Sequence, residues 1–243
     1  MASQIDKYIS LIKEKVIGYF PKTEAIIVWG GSLRPDFSIE SGDIDLIIVD
    51  NQDLTGVLKI QKKLNYLENE VKGKFELDPT LTNKDNLKKL FVITSFGTRY
   101  LHGIDRFLIK NNSKIIFGNV KILELIPKIT IEDAIKDVVP HVRDVFIAQI
   151  FKDIEKISDI SEYVAREKSK FAVIIRTLFT IENKKTGSKK EVLNYLKEKY
   201  PNLQQLAEFL LELYTTGKTD KKIVKKQVIE LLNLSKKKME SLL

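Results

Sequence analysis

The chain contains no cysteine and only two histidines among its 243 residues. Without cysteine it can form no disulfide, no thiolate nucleophile and no thiolate metal site. Two histidines, His102 and His141, are too few for a histidine-based zinc cage. Any bound metal must therefore be held by carboxylate oxygens, which directs attention to the acidic residues.

A long hydrophobic run is also missing. No window approaches the roughly 18 consecutive apolar residues that a membrane span requires. The N-terminal segment MASQIDKYISLIKEKVIGYF is amphipathic and charged, which is untypical of a signal peptide. We therefore expect a cytoplasmic protein that does not associate with a membrane.

Acidic residues are outnumbered by basic ones. The chain has 33 Asp and Glu against 41 Lys and Arg, a formal net charge of +8 at pH 7. A basic surface favours polyanionic partners such as nucleotides or RNA, and it also keeps a protein in solution. The charge alone does not decide between these two interpretations.

The apolar pattern divides the chain into two halves of different character. Strand-like and helical periods alternate as far as Pro127, and the segments beyond it have helical spacing. We expect an α+β protein: an N-terminal domain over residues 1–128, a mixed sheet with flanking helices, followed by a C-terminal all-helical bundle over residues 129–243. Pro79 in KFELDPTLT is expected to confine that strand to an edge or an end of the sheet.

The segment GDIDLIIVD contains two carboxylates at the start of a predicted strand. Asp43 and Asp45 are two residues apart, so their side chains leave the same face of that strand. Two carboxylates so close repel each other unless a cation lies between them. Mg²⁺ prefers oxygen ligands and shares its coordination with substrate phosphates, so it is the cation that fits.

Segments on either side extend this pair into a larger site. Gly30, Gly31 and Ser32 precede it, and the backbone N–H groups of such a turn, with the serine hydroxyl, can bind phosphate oxygens. Downstream, FELDPTL places Glu76 and Asp78 on one face of the next predicted strand. Either carboxylate could complete the metal site or accept a proton. Together these elements predict a site for two Mg²⁺ ions and a nucleoside triphosphate.

Five residues of this region match a known signature. Gly31, Ser32, Gly42, Asp43 and Asp45 follow the pattern Gly-Ser, a spacer, then Gly-Asp-x-Asp. In this respect the chain resembles the nucleotidyltransferase superfamily of DNA polymerase beta type. The resemblance implies a Mg²⁺-dependent enzyme that transfers a nucleoside monophosphate, AMP from ATP being the expected case, to a hydroxyl and releases pyrophosphate.

A second resemblance extends into the helical half. FAVIIRTLFTIENKKTGSKKEVLNYLKEKYP is similar to the C-terminal helical domain of aminoglycoside (streptomycin/spectinomycin-type) adenylyltransferases. It implies that Lys189 contacts the nucleotide phosphates, the alternative being an ordinary exposed lysine. Arg176, in the middle of a mostly apolar helical segment, is a further candidate cation or a member of a structural ion pair. Ser188 and Glu191 form a capping box that places Lys189 in the first turn of a helix, where the helix dipole disfavours a positive charge.

The acceptor of the transferred nucleotide is left open. On this second resemblance, Arg99 and Arg166 occupy positions that receive the cationic antibiotic in the drug-modifying enzymes. Two arginines would repel a polycation, so we expect a small hydroxyl compound that is not a polycationic aminoglycoside. The alternatives are a nucleotidyltransferase acting on RNA or protein, as in toxin and antitoxin systems, and a non-catalytic nucleotide-binding module.

Overall fold

A computed structural model describes residues 4–34, 37, 39 and 42–242 of the chain. The chain divides into two compact units, Met1–Thr130 and Ile131–Leu243. The first unit combines one mixed sheet with helices, and the second is built from helices. The predicted α+β class is therefore confirmed. Across the described ranges, no helix has both the length and the apolar character that crossing a membrane would require.

The first unit is organised by a six-stranded sheet of order β5-β4-β3-β2-β1-β6. Its strands are β1 (Thr23–Trp29), β2 (Asp43–Asp50), β3 (Glu76–Thr82), β4 (Phe91–Thr94), β5 (Gly97–Tyr100) and β6 (Ser113–Gly118). The pair β2 and β3 is parallel, whereas β1 is antiparallel to both β2 and β6, and β4 is antiparallel to both β3 and β5. The N-terminal ends of β2 and β3 therefore meet the C-terminal end of β1 at one end of the sheet.

Helices cover one face of the sheet, and this shows which strand residues are buried beneath them and which face the other way. The α-helices of this unit are α1 (Ile9–Tyr19), α2 (Val57–Val71), α3 (Lys84–Leu87) and α4 (Gly103–Asn111), and the 3-10 helices are Gln4–Lys7, Gly30–Leu33 and Val120–Leu125. Ile44 and Leu46 of β2 belong to the same buried cluster as Leu64 of α2. Because neighbouring strand residues alternate between faces, Asp43 and Asp45 project from the opposite face.

The expectation that Pro79 keeps its strand at an edge is wrong, since β3 lies between β2 and β4. Pro79 is level with Leu46 of β2, whereas β3 pairs with β4 at Leu81, which is level with Ile93. Proline lacks the N–H that a central strand donates to its neighbours. Here the short β4 pairs with β3 beyond Pro79, so an interior strand tolerates the missing donor.

The second unit contains seven α-helices within its described residues. They are α5 (Ile131–His141), α6 (Ala148–Ile154), α7 (Ile160–Arg166), α8 (Lys168–Asn183), α9 (Lys189–Lys199), α10 (Gln204–Thr216) and α11 (Lys225–Glu240), with a π-helical segment at Val142–Ile147 and a 3-10 turn at Pro201–Leu203. The π-helical segment comes directly after the turn that contains Pro140. The predicted cap of α9 is confirmed, because the Ser188 hydroxyl accepts a hydrogen bond from the Glu191 N–H.

A buried carboxylate ties three helices of this unit together. Glu182 of α8 has a side chain only 5% exposed. It accepts hydrogen bonds from the hydroxyls of Tyr195 and Tyr200, and the ammonium groups of Lys199 and Lys238 lie 3.3 and 2.9 Å from its oxygens. Burial alone would raise the pKa of Glu182, but these donors outweigh it and lower the pKa to about 2.

We expect Glu182→Gln to destabilise the protein by roughly 3 kcal/mol at neutral pH, since the pKa is lowered from 4.5 to about 2 and one pKa unit corresponds to roughly 1.4 kcal/mol. Because the folded-state pKa lies below the usual 4.5, this stabilisation is present above pH 4.5 and is lost as the pH falls toward 2. Urea unfolding of both proteins between pH 2.5 and 7 measures the difference. Glu198→Gln, at an exposed position of α9, is the matched control and should change stability by less than about 0.5 kcal/mol. A difference that stays constant with pH would contradict the prediction.

Candidate functional site

Three carboxylates converge on the sheet face opposite α1 and α2. Asp43, Asp45 and Asp78 each offer one oxygen, and these oxygens all lie within 4.8 Å of one another. The parallel register brings them together, because Asp45 of β2 is level with Asp78 of β3. Asp43 is exposed and the other two are half-buried, so the cluster lies at the rim of the sheet. A cation bound there would have protein oxygens on one side and an open approach on the other.

The electrostatics of this cluster favour a bound cation. Burial raises the pKa of Asp78, the Arg99 guanidinium opposes this, and the negative charges of Asp43 and Asp105 raise it further. Like charges at this distance are costly in a partly desolvated site. A divalent cation that prefers oxygen ligands would relieve the repulsion, and the all-carboxylate donor set suits Mg²⁺.

Glu76, the other candidate for the third carboxylate, lies two residues before Asp78, at the N-terminal end of β3. It is level with Asp43 in the register, and its side chain is exposed. Among the described residues, it is not one of the carboxylates that lie within 4.8 Å of each other. The structure therefore brings Asp78, rather than Glu76, into the acidic cluster.

The turn after β1 packs directly against this cluster. Gly30 has a φ of +76°, and a Cβ at this position would lie 2.8 Å from Oδ2 of Asp45. The Gly30 N–H donates to the Asn112 carbonyl at 3.3 Å, and Asn112 Nδ2 donates back to the Gly30 carbonyl at 3.2 Å. Glycine is thus required for backbone conformation and for space. Asn112 holds the turn through these two hydrogen bonds, a contact that the sequence did not predict because no short motif connects Asn112 to the turn.

Gly31 and Ser32 continue this turn in different environments. Gly31 is exposed, and a Cβ there would have no heavy atom within 4 Å. Ser32 is only 1% exposed, and its hydroxyl donates to the Trp29 carbonyl at 3.2 Å. The hydroxyl proton is therefore used within the turn, which leaves the backbone N–H groups of Gly31 and Ser32 as the better candidates for phosphate contacts.

The two predicted phosphate-binding cations of the second unit lie close together. Arg176 of α8 and Lys189 of α9 line a small groove together with Tyr214 of α10. The Lys189 Nζ lies 5.0 Å from the centroid of the Tyr214 ring, a distance typical of a cation–π contact. Ala172 and Ile175 add an apolar wall. Tyr214 was not predicted, since nothing in the sequence distinguishes it from the other tyrosines.

The two arginines discussed for the acceptor have different surroundings. Arg166 of α7 is paired with Glu167 at 3.4 Å, and its side chain is 65% exposed. Arg99 of β5 is exposed and lies close enough to Asp78 to influence its pKa. Only Arg99 is therefore placed beside the acidic cluster within its own unit.

The mixed sheet and the helical unit form an α+β fold that resembles that of an adenyltransferase of known structure. A solved structure with this fold is that of spectinomycin adenyltransferase AAD(9) from Enterococcus faecialis, crystallised with ATP and spectinomycin. The two chains superpose with a TM-score of 0.68 at 14% sequence identity, over 97% of this chain and 99% of the other. No family model matches the chain, and no curated protein matches it in sequence. At this level of identity the likeness establishes the fold alone.

We expect Gly30→Ala to disturb Asp45, because the new methyl group would meet its carboxylate and alanine disfavours a φ of +76°. The substitution should lower the free energy of unfolding by about 1–3 kcal/mol. It should also weaken Mn²⁺ binding, measured by electron paramagnetic resonance, by at least about tenfold. Gly31→Ala, where a Cβ has open space, is the control. Equal effects of both substitutions would show that the close approach to Asp45 is unimportant.

Proposed function

We propose that the protein is a Mg²⁺-dependent nucleotidyltransferase that transfers a nucleoside monophosphate, AMP from ATP, to a hydroxyl of a small-molecule acceptor and releases pyrophosphate. The observation that carries this proposal is the convergence of Asp43, Asp45 and Asp78 beside the Gly30 turn. Three carboxylates and a phosphate-compatible backbone turn, held side by side on one sheet, match what metal-assisted phosphoryl chemistry requires.

In this proposal Asp43, Asp45 and Asp78 hold Mg²⁺, with two ions expected. When bound, Mg²⁺ supplies positive charge that offsets the triphosphate and the developing charge on the leaving pyrophosphate. Gly31 holds the terminal phosphates through its backbone N–H, whereas Gly30, whose own N–H is bonded to the Asn112 carbonyl, shapes the turn beside them. Ser32 contributes through its own N–H, while Lys189 and Arg176 stay predicted phosphate-binding cations of the helical unit.

Asp78 is the residue we assign to proton transfer. Its carboxylate lies on β3 beside the two carboxylates of β2, so it can accept a proton from a hydroxyl that approaches the bound cations. The acceptor hydroxyl oxygen forms a bond to the α-phosphorus, and the bond from that phosphorus to the bridging oxygen of pyrophosphate breaks. The hydroxyl proton goes to Asp78, and pyrophosphate leaves with the bonding electron pair.

The choice of ATP is supported by the neighbouring fold. AAD(9) was crystallised with ATP and spectinomycin, and this chain covers nearly the whole of that protein. We carry over the nucleotide to this chain and leave spectinomycin as a compound to be tested. The placement of Arg99 beside the acidic cluster argues against a cationic acceptor.

The first test uses ATP labelled at the α-phosphate, with Mg²⁺, incubated with a cell extract that is then separated into small-molecule, RNA and protein fractions. We expect label in the small-molecule fraction, and none with an Asp43→Ala/Asp45→Ala protein. Spectinomycin is added to a parallel sample as a defined acceptor. Label in the RNA or protein fraction would reassign the acceptor, and binding of ATP without pyrophosphate release would indicate a non-catalytic module.

A second test separates the two candidate third carboxylates. We expect Asp78→Asn to lower the transfer rate by about 10²–10⁴-fold, the usual contribution of a general base. It should also weaken Mn²⁺ binding, since one of three oxygen ligands loses its charge. Glu76→Gln, at the exposed neighbouring position, should retain both properties within a few-fold. The opposite ranking would assign the third carboxylate to Glu76.

A further inference from the structure

The order of strands gives the acidic cluster two distinct sides. The Gly30 turn follows β1, which pairs with β2, so phosphates bound at the turn lie on the β1 side of the cluster. Asp78 is on β3, and its other neighbours are β4 and then β5. The acceptor hydroxyl must approach the proton-accepting Asp78 from the side that the phosphates leave open. The hairpin of β4 and β5 is therefore the sheet surface nearest to the bound acceptor.

Arg99 lies on that hairpin, on the sheet face that carries the acidic cluster. Ile93 of β4 belongs to the buried cluster beneath α1 and α2, as does its partner Leu81 of β3. Its neighbour Val92 must therefore face the other way, and cross-strand partners share a face. Arg99 is paired with Val92, which places it on the same face as Asp78.

The strand that carries Arg99 is fixed by its own turn. The Thr94 hydroxyl accepts hydrogen bonds from the N–H groups of Phe96 and Gly97, both at 3.1 Å, and donates to the Gly97 carbonyl at 3.2 Å. Rotation of the turn would break several hydrogen bonds at once. The Arg99 backbone is thus presented by an ordered hairpin.

The guanidinium of Arg99 is available to a ligand. Arg99 is exposed, and among the described residues its guanidinium forms no ion pair with a carboxylate within 4.0 Å. It acts on Asp78 only at longer range. Cations bound in the acidic cluster would offset the charge of Asp78, which weakens its attraction for Arg99 and leaves the guanidinium free to pair with a ligand.

We propose that Arg99 binds an oxyanion group of the acceptor, so that the substrate is a hydroxyl compound that also carries a phosphate or carboxylate. A guanidinium matches either group with two parallel hydrogen bonds, which is geometry that an ammonium lacks. The inference rests on the proposed function, because it requires nucleotide bound on the β1 side. It deepens that function by assigning the charge class of the acceptor.

The test measures binding to the protein saturated with Mg²⁺ and a non-hydrolysable α,β-methylene analogue of ATP. Calorimetric titrations use glycerol 3-phosphate, glycerate and, as the neutral match, glycerol. At least one anion should bind tenfold or more tightly than glycerol. Arg99→Gln should remove at least tenfold of that affinity, which corresponds to about 1.4 kcal/mol. The phosphate and carboxylate probes distinguish the two oxyanions.

Lys88→Gln is the matched control, because it also removes a cation from the first unit. Lys88 follows α3, beyond the C-terminal end of β3, and it is paired with Asp85. It should leave all three affinities unchanged. If neither anion binds better than glycerol, or if Arg99→Gln has no effect, the inference is overturned while the proposed function stands. Failure of the analogue itself to bind, or binding that Asp43→Ala/Asp45→Ala does not weaken, would instead overturn the proposed function and this inference with it.

Discussion

The repulsion among three carboxylates is the constraint on which the first unit depends. Asp43, Asp45 and Asp78 would not stay within 4.8 Å of one another unless the backbone held them there. The parallel pairing of β2 and β3 supplies that backbone, with seven consecutive paired positions between the strands. Apolar residues on the reverse face, buried against α1 and α2, provide the free energy that offsets the repulsion.

The same constraint explains the local details of the site. Asp45 can approach the β1 turn only because residue 30 has no side chain, and that turn is held by Asn112 from the end of α4. Asp78, rather than Glu76, joins the cluster because the register makes it level with Asp45, whereas Glu76 is level with the exposed Asp43. Side-chain identity alone does not separate these two carboxylates, since both leave the same face of β3.

Much of this arrangement could be predicted from the sequence, and the failures have physical causes. The apolar pattern predicted β2, β3 and the helical second half, and the acidic pair with its glycine turn was predicted from residue types and spacing. The strands β4 and β5 have only four residues each, too few for a period to emerge. The predicted edge position of the strand that contains Pro79 was wrong, because the rule against proline in central strands assumes that both neighbouring strands pair along its full length. Tyr214 and Asn112 reach their positions through tertiary packing, which no local pattern encodes.

Two carboxylates of the chain show how environment separates a structural group from a functional one. Glu182 is buried, yet two tyrosine hydroxyls and two lysines satisfy it within the protein, so its pKa falls to about 2. Asp78 is half-buried among like charges, and its pKa rises despite Arg99. The first group stabilises its unit without any ligand. The charge of Asp78 is not balanced by the described residues around it, and a bound cation would balance it. Since folding alone would favour neutral residues at these positions, the cluster of like charges beside the Gly30 turn supports the proposed binding of a cation.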